Sequence, residues 1–224
     1  MQAIILAAGE GIRLRPYTNL VPKPLFTIKG KTLLTHHIDK LNSLGIDNKN
    51  IFVIVKYLKE EIIGFLERYH PGVNYIVQEN KYGTASAVKT ASKYITDDYI
   101  LITYADEYFE DTLEEFKKDE LIIGVKEVDD VSKYGKIIEE NGYLKEIKEK
   151  TETGKGKIFV GVIKVTKDFF KILDKIKPNE KTGEYYLTDA ILEYNKIKKF
   201  RIYTLKGKRS DIGNEEALIN ARKM

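Results

Sequence analysis

The chain has 224 residues, 38 basic and 34 acidic side chains, a net charge of +4, 42% hydrophobic residues and no cysteine. No apolar run approaches the ~20 residues that cross a bilayer, the first eight residues lack a basic leader region, and without cysteine neither a disulfide framework nor a thiolate metal site can form. Basic residues cluster at Lys196–Lys199 and Lys206–Arg209, but acidic residues are interspersed almost everywhere; the basic stripe of a nucleic-acid binder is missing, and a soluble cytoplasmic protein with neither nucleic-acid nor membrane partners is expected.

In chain order, strands are predicted at Ala3–Leu6, Ile51–Val55, Asn74–Val77, Tyr99–Thr103 and Leu121–Val125. Helices are predicted between them at Leu33–Leu44, stopped by Gly45, at Lys59–Tyr69, stopped by Pro71, and at Thr84–Tyr94 and Thr112–Lys117. Leu33, Leu34, Ile38, Leu41 and Leu44 keep helical spacing in the first of these. The alternation predicts an α/β fold, a doubly wound, mostly parallel, Rossmann-like sheet with helices on both faces. Such sheets bind ligands beyond the carboxyl ends of their strands.

After about residue 130 the pattern changes. Tyr134–Glu139 and Leu144–Lys148 flank Glu140-Asn141-Gly142, and Asn-Gly is a strong hairpin signal. A strand at Ile158–Val165, helices near Lys167–Ile176 and Leu187–Tyr194, a strand at Arg201–Leu205 and a helix at Glu215–Arg222 complete the prediction. No linker and no internal repeat interrupts the chain. A single domain over 1–224 is expected, with halves at 1–130 and 131–224.

The most informative stretch runs from Ile4 through Gly9 and Gly11 to Arg13, then to Pro22-Lys23-Pro24-Leu25. An apolar strand opens into a loop whose glycines can take φ > 0 and let backbone N–H groups approach an anion. Arg13 offers a planar fork to phosphate oxygens. Pro22 and Pro24 restrict the backbone around Lys23, so its ammonium is aimed with little entropy left to lose. The dinucleotide fingerprint fails at Leu14, where its third glycine belongs, and no Walker Gly-Lys-Ser/Thr occurs in the loop.

The whole stretch resembles the signature of the sugar-phosphate nucleotidylyltransferases, roughly L-A-A-G-x-G-S/T-R-L followed by P-K-P-L. It departs at Ile12, where the family carries a hydroxyl. The resemblance implies transfer of a nucleotidyl group from a nucleoside triphosphate (NTP) to a sugar 1-phosphate. The nucleophile is a phosphate oxygen with a second pKa near ~6, already ionised at neutral pH, so no general base or covalent nucleophile is needed. Positioning, cations and a divalent metal, Mg²⁺, should carry the catalysis. Arg13 and Lys23 would be the catalytic cations, with Leu6, Ala7, Ala8, Gly9 and Gly11 lining the nucleotide. The histidines form no triad or metal cluster; His36 and His37 point about 100° apart on a helix and read as ordinary helix residues.

Other segments resemble the family in consistent order. Asp106 ends an apolar strand where the family has Gly-Asp, here Ala105-Asp106. Asp211-Ile212-Gly213 resembles its late W-x-D-I-G-T, with Arg209 for the tryptophan and Asn214 for the threonine. These two carboxylates would hold Mg²⁺, although each could instead cap a turn or helix. Gln78, Gly83, Thr84 and Ala85 match Q-x-x-x-x-G-T-A and would select the base. Tyr104, Tyr134-Gly135, Glu149-Lys150 and Gly161 would form the sugar-phosphate side, in a small β-hairpin subregion. Gly183-Glu184-Tyr185-Tyr186-Leu187-Thr188-Asp189 matches G-E-Y-x-L-T-D, with Thr188 and Asp189 as a helix start bracing that pocket.

The implied substrates are UTP or dTTP with glucose 1-phosphate or an amino-sugar relative. GTP with mannose 1-phosphate, and CTP with a polyol or choline phosphate, stay open, as does a homo-oligomer. A catalytically silent subunit of the same fold is a separate alternative; such relatives tend to lose the lysine or a metal carboxylate, which this chain keeps. A glycosyltransferase would want Asp-x-Asp, and Asp106-Glu107-Tyr108 does not provide it. Many relatives add a left-handed β-helix of hexapeptide repeats, and no such repeats occur here.

Overall fold

The computed structural model describes residues 1–79, 82–148 and 153–224. The first strand, β1 (Gln2–Ala7), is buried on both faces, as a central parallel strand must be. A small hairpin follows, β2 (Thr27–Ile28) and β3 (Lys31–Thr32), turning at Lys29 and Gly30 with φ of 48° and 78°. Helix α1 (Leu33–Ser43) starts where the Thr32 hydroxyl accepts from Thr35 N at 3.1 Å, and Gly45 takes φ 82° just beyond its end. Then come β4 (Ile51–Val55), α2 (Lys59–Tyr69), β5 (Asn74–Val77), α3 (Thr84–Thr90), β6 (Tyr99–Tyr104) and β7 (Glu107–Phe109). The second half supplies β8 (Ile122–Val128), β9 (Lys136–Glu140), β10 (Tyr143–Lys148), β11 (Gly156–Thr166), α4 (Phe169–Leu173), α5 (Leu187–Asn195), β12 (Arg201–Thr204), β13 (Arg209–Asp211) and α6 (Glu215–Arg222).

Among the described residues, nine strands form one sheet in the order β5-β4-β1-β6-β11-β8-β12-β10-β9. The sheet is mixed. Parallel pairing joins β5, β4, β1 and β6, and again β8 and β12, whereas β11 runs antiparallel to both its neighbours β6 and β8. Antiparallel entry of β11 follows from the hairpin-rich segment before it, where Asn141 and Gly142 both adopt positive φ, 53° and 82°.

Alternation along the strands divides the core. Ile4, Ile54 and Ile102 face α3, α4 and α5, while Ala3, Ile5, Val53 and Leu101 face α1 and α2. The sheet is thus doubly wound, with helices on both faces. Strand β1 lies between β4 and β6. The chain therefore leaves β1 in one direction and returns on its other side, and the ends of β1 and β6 border the crevice where ligands bind in such sheets.

Three expected helices are shorter than predicted, the one near Lys167–Ile176 being only α4, Phe169–Leu173. Helix α3 ends at Thr90, whose hydroxyl donates back to Ser86 O at 2.9 Å, and a 3₁₀ turn covers Ser92–Tyr94. The Thr112–Lys117 segment is only a 3₁₀ turn at Glu114–Lys117. Two short ribbons, β2–β3 and β7–β13, were not anticipated. No helix among the described residues is long and apolar enough to cross a membrane.

Candidate active site

A cleft of about 1050 Å³ opens at the carboxyl ends of β1, β4 and β6. Its lining includes Leu6, Ala7, Ala8, Gly9, Gly11, Arg13, Lys23, Gln78, Gly83, Thr84, Tyr104 and Asp106, so twelve of the residues singled out by the sequence share one wall.

The loop after β1 is held by specific contacts. Gly11 takes φ 63°, and a Cβ there would meet Thr18 Cγ2 at 2.9 Å. The Thr18 hydroxyl donates to Gly11 O at 2.9 Å, and the Tyr57 hydroxyl donates to Thr18 O at 2.9 Å. Gly9 differs from expectation: it is absent from the positive-φ glycines, and nothing lies within 4 Å of where its Cβ would be. Its missing side chain leaves room for a ligand rather than permitting a special dihedral. Arg13 is exposed on the 3₁₀ turn Ile12–Leu14 and makes no hydrogen bond or ion pair among the described residues.

Lys23 lies between Pro22, at φ −66° and ψ 142°, and Pro24. Its ammonium is 3.0 Å from Asp106 Oδ2. Burial pushes the Asp106 carboxyl up, but the Lys23 ammonium outweighs it and holds the group below the usual carboxylate range. Asp211 is brought beside Asp106 by the β7–β13 ribbon, in which it pairs with Glu107, and by Ile212 N donating to Asp106 O at 3.0 Å. Burial first and the Asp106 charge second push the Asp211 carboxyl up. Asp106 thus disfavours ionisation of its neighbour Asp211, and two such adjacent carboxylates are the kind of oxygen donors that a hard cation takes. No group of three or more acidic or histidine ligands occurs among the described residues. A pair suits Mg²⁺, which is commonly held by one or two carboxylates together with substrate phosphates and water.

Behind this pair sits His37. Its Nε2 lies 2.8 Å from Glu107 O and its Nδ1 2.9 Å from Thr103 Oγ1. A carbonyl only accepts, so Nε2 carries the hydrogen and Nδ1 accepts from the threonine. Burial pushes the imidazole pKa down to about 4. His37 is a neutral buried strut, more specific than an ordinary helix residue.

At the other end of the cleft, Gln78 is buried and donates to Gly83 O at 3.4 Å. Gly83 has φ 103°, and a Cβ there would lie 2.4 Å from Tyr185 O. Tyr185 N donates to Tyr82 O at 3.0 Å, Ala85 N to Tyr185 O at 2.9 Å, and Leu187 N to the Thr84 hydroxyl at 2.9 Å. The loop at 82–85 is thereby zipped to the start of α5, in whose first turn Thr188 and Asp189 lie. Tyr104 is desolvated, which pushes its hydroxyl pKa up against an opposing hydrogen bond with Thr84.

The sugar-side residues are placed less directly. Gly161 does not line the cleft; it takes φ 64° in a bulge of β11, and a Cβ there would meet Tyr104 Cγ at 2.8 Å, so it lets Tyr104 pack against the strand. Gly135 also lies outside the cleft lining. Glu149 and Lys150 fall outside the described residues.

The cleft also contains residues that sequence reasoning passed over or weighed lightly. Lys56, Tyr82, Tyr186 and Gly213 line it, together with Glu184. The Lys56 ammonium lies 3.7 Å from the centre of the Tyr82 ring. Its signal was present: a lone charge directly after the wholly buried strand β4 stands where parallel sheets bind ligands. Gly213 is a tight neighbour, since a Cβ there would sit 3.3 Å from Arg13 Nη2 and from Asp211 Oδ1.

The chain is thus an α/β protein with a doubly wound sheet that gathers cations and a pair of carboxylates at its switch point. The nucleotidyl transferase family matches residues 2–224, and the chain belongs to it. It is 39% identical over 226 residues to the Bifunctional protein GlmU of Methanocaldococcus jannaschii, covering 100% of this chain and 54% of that protein. It is 32% identical over 229 residues to the UTP--glucose-1-phosphate uridylyltransferase AglF of Haloferax volcanii, covering 96% of this chain and 93% of that one. The structure of a Bacillus anthracis protein assigned as a glucose-1-phosphate thymidylyltransferase, in complex with a sucrose, superposes with a TM-score of 0.87 at 27% identity, covering 100% of this chain and 94% of that one. The chain spans about half the length of the GlmU relatives it matches.

Proposed function

We propose that this chain is a magnesium-dependent sugar-1-phosphate nucleotidylyltransferase, transferring a nucleotidyl group from UTP or dTTP to a hexose 1-phosphate. An oxygen of the sugar phosphate attacks the α-phosphorus, the bond from that phosphorus to the bridging oxygen breaks, and pyrophosphate leaves with the electron pair. Arg13 and the backbone of Gly9 and Gly11 would bind the triphosphate, and Lys23 would stabilise charge growing around the α-phosphorus. Gln78, Gly83 and Thr84 would hold the base. Tyr104, Gly135, Glu149, Lys150 and Gly161 would serve the sugar side, some of them through neighbours. A Mg²⁺ ion held by Asp106 and Asp211 would neutralise phosphate charge.

The observation that carries this reading is the Lys23–Asp106 pair at 3.0 Å, in the same cleft as an unpaired Arg13 and next to Asp211. It concentrates cations for a polyanion and a carboxylate for a cation in one crevice. The sequence similarity to a UTP--glucose-1-phosphate uridylyltransferase supports the uridine choice. Pyrophosphate release measured across four NTPs and dTTP, with glucose, amino-sugar and mannose 1-phosphates, tests it. Turnover is expected with UTP or dTTP. Turnover with GTP or CTP alone would overturn the base assignment, and none with any pair would favour a silent subunit.

A further inference from the structure

Arg209 stands where the family pattern carries tryptophan, and nothing in that pattern explains a buried guanidinium. Its side chain is 7% exposed, too enclosed to touch a substrate. Its Nε donates to Glu107 Oε2 at 2.7 Å and its Nη2 to Glu107 Oε1, a two-pronged bond to a carboxylate that is itself 9% exposed. Its guanidinium also lies 5.4 Å from the centre of the Tyr134 ring. Glu107 immediately follows Asp106 and pairs in register with Asp211. The fork therefore crosses the β7–β13 ribbon, where Asp106 of the cleft immediately precedes β7 and Asp211, just outside the cleft lining, ends β13.

We infer that the Arg209–Glu107 pair is a positioning device that fixes the separation of Asp106 and Asp211, and so sets the affinity of the cleft for a divalent cation. The inference rests on the reading of those two aspartates as cation ligands. The ribbon is short, three residues a side; near the cleft it is also restrained by Ile212 N on Asp106 O, His37 on Glu107 O and Lys23 on Asp106, and at its far end by Asp111 and Glu110 accepting from the backbone of Lys206, Gly207 and Lys208. A planar guanidinium meeting a carboxylate through two parallel bonds restricts both distance and angle. A single ammonium at the same place keeps the charge but supplies a point contact that pivots.

The test is Mn²⁺ alone titrated into the intact protein, with bound and free ion read by electron paramagnetic resonance. Arg209→Lys and Glu107→Gln are each expected to weaken Mn²⁺ binding at least tenfold. In turnover, half-saturating Mg²⁺ should rise by a similar factor while the KM for NTP at saturating Mg²⁺ changes less than threefold. Mn²⁺ binding within twofold of the wild-type protein, with only a lowered melting temperature, would overturn the inference. Should either single variant fail to fold, Glu107→Met with Arg209→Met leaves no unpaired buried charge; the same weakening is expected there, and unchanged binding overturns the inference. Asp106→Asn and Asp211→Asn serve as the control. If they bind Mn²⁺ as well as the wild-type protein, it is the ligand assignment that fails.

Discussion

In the parallel region β5-β4-β1-β6, every loop that meets the cleft follows directly on a strand, so topology alone delivers Gly9, Gly11, Lys56, Gln78 and Asp106 to one crevice. The β7–β13 ribbon works otherwise. Its strands are about a hundred residues apart in sequence, and Asp211 reaches Asp106 through a particular register and the Ile212 N bond to Asp106 O, with a buried ion pair across the ribbon. The first region tolerates local variation because the sheet fixes the positions of its loops. The second depends on individual side chains. Substitutions should divide accordingly: in the parallel region, losses confined to the residue that touches substrate; in the ribbon, losses from residues that touch nothing reactive.

The largest effect is expected in the parallel region. Lys23→Ala removes the cation nearest the proposed transferring group and should lower kcat by about 10²–10³, the usual loss for one aimed donor to developing charge. Because the Lys23 ammonium is what holds the Asp106 carboxyl down, its removal raises that pKa. The acid limb of the pH profile of kcat/KM should move to higher pH in the variant. An unmoved limb would mean that Asp106 does not govern it.

Next comes a stability effect that joins the two regions. His37 leans on Thr103 at the end of β6 and on the backbone of Glu107 in the ribbon. Its imidazole is held down to about 4 by burial, against an ordinary value of 6.5. Between those values the unfolded chain binds the proton and the folded one does not, so stability rises with pH across the window and is full above 6.5. A shift of this size corresponds to about 3 kcal/mol lost on acidification to pH 4. Urea unfolding at pH 7 and pH 4.5 checks it, and His37→Gln should flatten that part of the pH dependence while lowering stability at neutral pH.

What the sequence disclosed follows the same division. Strand β1, the glycine loop, Lys23 and Asp106 were readable because each is announced by neighbours in sequence: an apolar run, a glycine, flanking prolines. Helix α6 at Glu215–Arg222 was readable to the residue because Asn214 caps it, accepting from Ala217 N at 2.8 Å. Strands of two or three residues carry no periodicity, so β7 and β13 could not be found, and with them the Arg209–Glu107 contact was hidden. Gly161 was read as a residue against the sugar because a glycine's demand for space looks the same whether the neighbour is a ligand or the ring of Tyr104. Lys56 was legible in principle and overlooked, since a lone lysine after a strand is usually solvated.

Gly83 offers a sharper probe of the seam between the loop at 82–85 and α5. Alanine there would hold φ 103° and place a Cβ 2.4 Å from the Tyr185 carbonyl oxygen. The strained dihedral alone costs about 1–3 kcal/mol, and the backbone contact must open as well. Gly83→Ala should lower the melting temperature and raise the KM for NTP together. A raised KM with unchanged stability would mean that the glycine serves ligand approach alone.

The smallest expected effect tests how far the parallel region is self-supporting. The Tyr57 hydroxyl donates to Thr18 O, and Thr18 in turn donates to the carbonyl of Gly11, so a residue after β4 steadies the loop after β1 through one intermediate. Tyr57→Phe deletes the first bond and little of the ring packing, for about 1 kcal/mol. If the sheet fixes the loop, as the comparison with the ribbon requires, stability should fall by that amount while the KM for NTP changes less than about threefold, roughly 0.6 kcal/mol. A tenfold rise in KM would show that this loop, like the ribbon, depends on a single distant side chain, and the distinction between the two regions would then be one of degree.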